Sequence, residues 1–154
     1  MEANSRPHQP DFNWEDYVLV GILLLTHGKL GEAVLDVVTM LLGPQEQVRA
    51  LALNPGDQID AFREKARQLA TELDQGDGVL LLVDVAGGSP ANIALEMVTS
   101  GNRAVVTGVN LPMLLELFIH RKEMKLARLV DRVQNWGREG IATLKSEDMG
   151  SAAV

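Results

Sequence analysis

The chain has 154 residues, 46% hydrophobic but only 4% aromatic, and a formal net charge of -7. That is one domain's worth of polypeptide, able to bury about two-thirds of its unfolded surface, and its core must come from Leu, Val, Ile and Ala, which suits buried parallel strands covered by helices. The acidic balance argues against nucleic acid as a partner, because phosphate backbones need a basic face; the absence of cysteine removes disulfides, thiolate metal sites and cysteine nucleophiles together.

In chain order, residues 1–16 are polar, contain Pro7 and Pro10 and show no period, so they are expected to form a disordered or loosely docked extension. Residues 18–25 are a continuous apolar run of strand length, far too short to span a bilayer. Asp11, Glu15 and Asp16 stand where a signal peptide would carry basic residues. The expectation is a cytoplasmic protein with no inserted membrane segment. Leu30, Ala33, Val34, Val37, Val38, Leu41 and Leu42 fall at helical spacing, and Gly43-Pro44 stops that helix. A second strand over 48–53 closes in the turn Asn54-Pro55-Gly56. Asp57 reads as an N-cap for a helix whose inner face is Ile59, Phe62, Ala66, Leu69, Ala70 and Leu73. After Gly76-Asp77-Gly78 come a third strand over 79–83, a helix over 90–99 and a fourth strand over 103–107. Helices follow over 111–120 and 122–136, and residues 140–144 fit either a strand or a helix end.

Strand and helix alternate four times with short connections, the signature of an α/β fold with a mostly parallel sheet and helices on both faces. A doubly wound order 2-1-3-4 is the simplest arrangement. Its winding reverses between the first and third strands, and the working site is expected beyond their carboxyl ends. Two loops are thereby named: Thr26-His27-Gly28, and the segment from Asp84 to Pro90.

The first loop carries a histidine; the second carries Asp84, the pair Gly87-Gly88, then Ser89-Pro90. Ser89 reads as an N-cap with proline at the first helical position, and helix N-termini attract phosphate. Imidazole is a nucleophile near neutral pH. A carboxylate on its Nδ1–H would fix the tautomer and leave Nε2 to attack. The set therefore fits phosphoryl transfer through a phosphohistidine on His27, oriented by Asp84. The Thr26 and Ser89 hydroxyls and the main chain of Gly87 and Gly88 would hold the phosphoryl oxygens, with no metal and no cofactor. Taken singly, each residue has a plainer use: His27 in packing, Asp84 in capping a turn, the glycines in a tight bend. His8 and His120 read as solvated, Met97, Met113 and Met124 as core, and Trp136 as packing.

At these residues the sequence resembles the IIA domain of the mannose-type (mannose/fructose/sorbose) sugar phosphotransferase system. The matching strings are Leu25-Thr-His-Gly28, Leu41-Leu-Gly43, Pro55-Gly56, Leu82-Val-Asp-Val-Ala-Gly-Gly-Ser-Pro-Ala-Asn92, Gly108-Val-Asn-Leu-Pro-Met113 and Gly137-Arg-Glu-Gly140. The resemblance implies a domain over 17–145, with 146–154 as a tail. It implies a phosphotransferase component that is phosphorylated at His27 Nε2 by the phosphocarrier protein HPr and hands the group to a IIB protein, here a separate one. It also implies a homodimer in which residues 140–144 form a strand on the neighbour's sheet, and recruitment to a membrane permease complex without insertion. Residues 1–16 and the small Ala86 depart from the family pattern.

Three other readings compete. The similar carrier subunit of dihydroxyacetone kinases is the nearest, and the string 108–113 favours the mannose type over it. A response-regulator receiver phosphorylated on Asp84 would need an acidic pair for magnesium after the first strand, where Thr26-His27 stand. A serine hydrolase using Ser89, His27 and Asp84 lacks a GxSxG elbow.

Overall fold

The computed structural model of the chain describes residues 17–150; the extension 1–16, with His8, and residues 151–154 lie outside the described residues. Among the described residues, four strands and five α-helices follow one another: β1 (Gly21–His27), α1 (Leu30–Leu42), β2 (Val48–Leu53), α2 (Ile59–Leu73), β3 (Val79–Val83), α3 (Ser89–Val98), β4 (Arg103–Val106), α4 (Leu111–His120) and α5 (Leu126–Glu139). The sheet has the order β2-β1-β3-β4 and every pairing is parallel. The doubly wound order expected from the alternation is the one observed.

The strand period of two separates two cores. Ile22 and Leu24 of β1, with Leu80 and Leu82 of β3, point to the face covered by α1, α4 and α5. Leu23, Leu25, Leu81 and Val83 point to the face covered by α2 and α3. All five residues of β3 are fully buried, and each such side chain stabilises the fold by about 1.5–3 kcal/mol. Gly21 opens β1 because a Cβ there would lie 2.5 Å from the Leu73 carbonyl oxygen at the end of α2. Met97, Met113, Met124 and Trp136 are buried, as their spacing implied.

Several boundaries differ from the sequence reading. Residues 18–20 precede the ladder, and β1 instead runs two residues further, through His27. Asp57 is not the cap of α2: Gln58 is, and the Asp57 carboxylate accepts the Asn54 N–H at 2.8 Å to close the turn. The helix expected over 122–136 is split into a 3-10 turn, Arg121–Glu123, and α5, because Met124 is extended. Helix α1 is less buried than its pattern suggests: only Gly31 and Val38 are fully covered, while Leu30, Met40 and Leu41 face outward. Residues 141–145 have no regular structure, and Ile141 and Leu144 are exposed.

Two strings that carried the resemblance join α4 to α5. The Asn110 side chain accepts the Met113 N–H at 3.0 Å as the α4 cap and donates to the Gly137 carbonyl at 3.2 Å. A Cβ on Gly137 would meet Met113 Cε at 2.8 Å, and one on Gly140 would meet Pro112 at 2.3 Å. At the opposite pole of the sheet, Arg121 is fully buried. Its guanidinium donates to the carbonyls of Val20, Gln47 and Glu46 and stacks on Phe118. Burial pulls its pKa down to about 10, so it stays charged, and main-chain dipoles hold that charge. Among the described residues, no helix is long and apolar enough to cross a membrane.

Candidate functional site

The ladder between β1 and β3 ends at Leu25–Val83. Beyond that pair, β1 presents the His27 N–H, two residues on, with no β3 carbonyl to bond, and Asp84 stands directly after β3. Asp84 Oδ2 takes that N–H at 2.8 Å and lies 2.8 Å from His27 Nδ1, while Oδ1 accepts the Val85 N–H at 2.9 Å. The same oxygen thus fixes both the backbone and the ring of His27. Burial would push the Asp84 carboxyl up; the donors from His27 and Val85 outweigh it and hold the group below the ordinary value of 3.8. An ionised carboxylate can only accept, so Nδ1 carries a hydrogen, and in the neutral ring Nε2 is then the nitrogen with the lone pair.

The His27 side chain is half exposed, at 50%, against 12% for Asp84. A ring held on its inner edge and open on its outer edge can exchange a group with another protein. Gly88 and the start of α3 lie beside Cε1 and Nε2: a Cβ at Gly88 would fall 2.7 Å from Cε1 and 3.2 Å from Nε2. Val85, Ala86 and Gly87 form an exposed rim, and Gly87 needs its positive φ of 85 for the turn.

The remaining predicted residues divide. Ser89 is half-buried beside Gly88, but it is the first helical residue rather than the cap. Gly88 takes the cap position, and the Ser89 hydroxyl makes no capping bond. Pro90 has no N–H, so Ser89 and Ala91 bring the free donors of the first turn. Thr26 does not open onto the site. Its side chain points to the α1 face, is 1% exposed, accepts the Gly31 N–H at 3.0 Å and donates to the Gly28 carbonyl at 3.4 Å. The expectation that its hydroxyl holds phosphoryl oxygens is corrected on this geometry: the hydroxyl secures the turn between His27 and α1. Sequence gave no warning, because both faces of β1 are apolar and strand alternation was invisible.

His120 lies far along the chain at the end of α4, stacked on Trp136 at 5.5 Å and 3.4 Å from Glu116, so it is held rather than free in solvent. Among the described residues, no three His, Asp or Glu side chains converge as a metal cluster would.

Residues 21–134 match the family model described as the PTS system fructose IIA component. The chain is 38% identical to the mannose-specific EIIAB component of the Escherichia coli phosphotransferase system over 136 residues, covering 87% of this chain and 42% of that protein. It therefore spans less than half the length of that relative. Among solved structures, a IIA protein associated with the fucose utilization operon of Streptococcus pneumoniae superimposes with a TM-score of 0.72 at 31% identity, covering 85% of this chain and 97% of that one. The EIIA component of Streptococcus agalactiae superimposes with a TM-score of 0.74 at 26% identity, covering 80% and 96%. The chain belongs to the mannose/fructose/sorbose family of PTS IIA components, which are phosphotransferase components.

Proposed function

We propose that this chain is a cytoplasmic phosphoryl carrier that accepts a phosphoryl group from phospho-HPr on His27 Nε2 and passes it to a IIB acceptor. Residues 17–145 would be its carrier domain, serving sugar uptake or reporting phosphorylation state. The observation that carries the reading is the pair of 2.8 Å contacts from one Asp84 oxygen to the His27 N–H and Nδ1, beneath a half-exposed ring.

The step balances without a metal. The Nε2 lone pair attacks phosphorus, the N–P bond of the donor phosphohistidine breaks, and its electrons return to the donor's ring. Nδ1 keeps its hydrogen, the His27 ring gains positive charge, and Asp84 offsets it. In this reading the Ser89 N–H and hydroxyl meet the phosphoryl oxygens, and the start of α3 attracts their negative charge. Transfer to the acceptor is the same step reversed, with the acceptor's nucleophile taking phosphorus and the electron pair returning to Nε2. Thr26 has a supporting part, holding the Gly28 turn so that the ring keeps its direction.

A homodimer fits the same reading. The outer edge of β4 has no strand partner among the described residues, and residues 141–145 run exposed and outside any strand. An open edge and an exposed segment with Ile141 and Leu144 favour strand exchange between copies. Truncation after Gly140 should then leave a monomer by light scattering.

The test of the carrier is incubation with labelled phosphoenolpyruvate, enzyme I and HPr, followed by a chase with candidate acceptors. One acid-labile, base-stable phosphoryl group per chain, absent in His27→Ala and discharged onto a IIB protein, is expected. Label that survives acid, or undiminished label in His27→Ala, would overturn it. Discharge onto a dihydroxyacetone kinase instead would keep the carrier and change its acceptor.

A further inference from the structure

Two adjacent glycines precede α3, and their backbones differ. Gly87 has a φ of 85, and a Cβ there would meet nothing within 4 Å. Its glycine answers to conformation. Gly88 has φ -87 and ψ 169, extended backbone that any residue adopts. Conformation gives no reason for glycine at 88.

Space does. A Cβ on Gly88 would lie 2.7 Å from His27 Cε1 and 3.2 Å from Nε2, with Pro90 Cδ next at 3.7 Å. The first is a non-bonded distance that Cβ atoms in proteins essentially never show, so something would have to shift. The ring cannot simply recede. Asp84 holds Nδ1, the ring atom bonded to Cε1, at 2.8 Å and also holds the His27 N–H, so moving the imidazole away from residue 88 disturbs the bond that fixes its tautomer.

We propose that Gly88 is a positioning residue for His27: its missing side chain lets the imidazole lie against the main chain at the start of α3 with Nδ1 on Asp84 and Nε2 unobstructed. The consequence for transfer rests on the carrier reading, because Nε2 is where the phosphoryl group would attach. A methyl at 88 would crowd the edge of the ring that carries the attacking nitrogen. Gly87 shapes the turn, and Gly88 makes the room.

A double-mutant cycle separates this from an ordinary capping role, since glycine is also a better N-cap than alanine. Gly88→Ala is made in the native chain and in the His27→Ala background. The cap loss is common to both; the collision with the ring exists in one only. The thermal midpoint should fall by about 3 °C more in the native background. Gly87→Ala, which strains the turn, should lower both backgrounds equally. Nitrogen-15 spectra of His27 in Gly88→Ala should show a reduced Nδ1–H tautomer, and uptake of label from phospho-HPr should slow by at least about tenfold. Equal midpoint shifts in the two backgrounds, with an unchanged tautomer, would overturn the proposal. If the native chain takes no label while the coupling and the tautomer change persist, Gly88 still positions His27 and the carrier reading is what fails.

Discussion

Replacing Asp84 by Asn isolates the charge that the site places against His27. The amide has one acceptor and one donor end. If its oxygen takes the Oδ2 position it keeps both His27 bonds, and its NH2 then meets the Val85 N–H donor now bound by Oδ1. The opposite orientation sets NH2 against two donors, so the first is favoured, and the ring should stay close to its place without the negative charge beside it. A unit charge at 2.8 Å from a ring that becomes positive is worth about 6 kcal/mol at an effective dielectric of 20 and about 1.5 kcal/mol in bulk water. The ring is half exposed and the carboxylate largely covered, so solvent screening pulls the value towards the lower limit, to about 2 kcal/mol. That corresponds to a transfer rate about 30-fold slower. The assay is rapid-quench phosphorylation by phospho-HPr under single-turnover conditions, with circular dichroism and ring nitrogen shifts to verify the fold and the tautomer. A folded Asp84→Asn protein that transfers within about twofold of the native rate would refute the electrostatic role of the carboxylate.

The same carboxylate predicts an acid response. Its pKa is held below 3.8 in the folded chain, so its contribution is present above the unfolded value and is lost as pH falls through the lower folded one. Chemical denaturation at successive pH values should show the native chain losing more stability below about pH 4 than Asp84→Asn does. Gly21→Ala forces a Cβ to within 2.5 Å of the Leu73 carbonyl; backbone atoms cannot swing aside, and a loss of about 3 kcal/mol in urea unfolding is expected. Arg121→Met removes the donors from the Val20 and Glu46 carbonyls, whereas Gln47 keeps the Ile22 N–H. The urea midpoint should drop by the equivalent of about 2–4 kcal/mol at an unchanged slope.

The sheet order and both site loops were legible because they depend on long-range regularities: apolar runs of strand length, helical spacing between them, and the reversal of winding that two neighbouring strands impose. His27 and Asp84 follow from that topology before any motif is considered. What escaped depends on single side-chain directions. Thr26 turns inward because β1 continues to His27, a boundary set by where pairing with Leu53 ends, and an all-apolar strand carries no alternation to mark its faces. Arg121 carries no local signal of burial beside Lys122 at a helix end, yet the main-chain carbonyls of Val20, Glu46 and Gln47, far away in the chain, converge on it. Ser89 and Asp57 have the composition of caps but sit one residue off the cap position, where propensity alone does not distinguish neighbours. The outward apolar residues of α1 follow a helical period as faithfully as buried ones would, so periodicity locates the helix without deciding which of its residues the sheet covers.

The central claim concerns one atom, Nε2 of His27. Phosphorylated protein, prepared with enzyme I and HPr and labelled with nitrogen-15, should show phosphorus coupled to that nitrogen and the hydrogen retained on Nδ1. Phosphorus on Nδ1, on His120 or on the Ser89 oxygen would contradict the account.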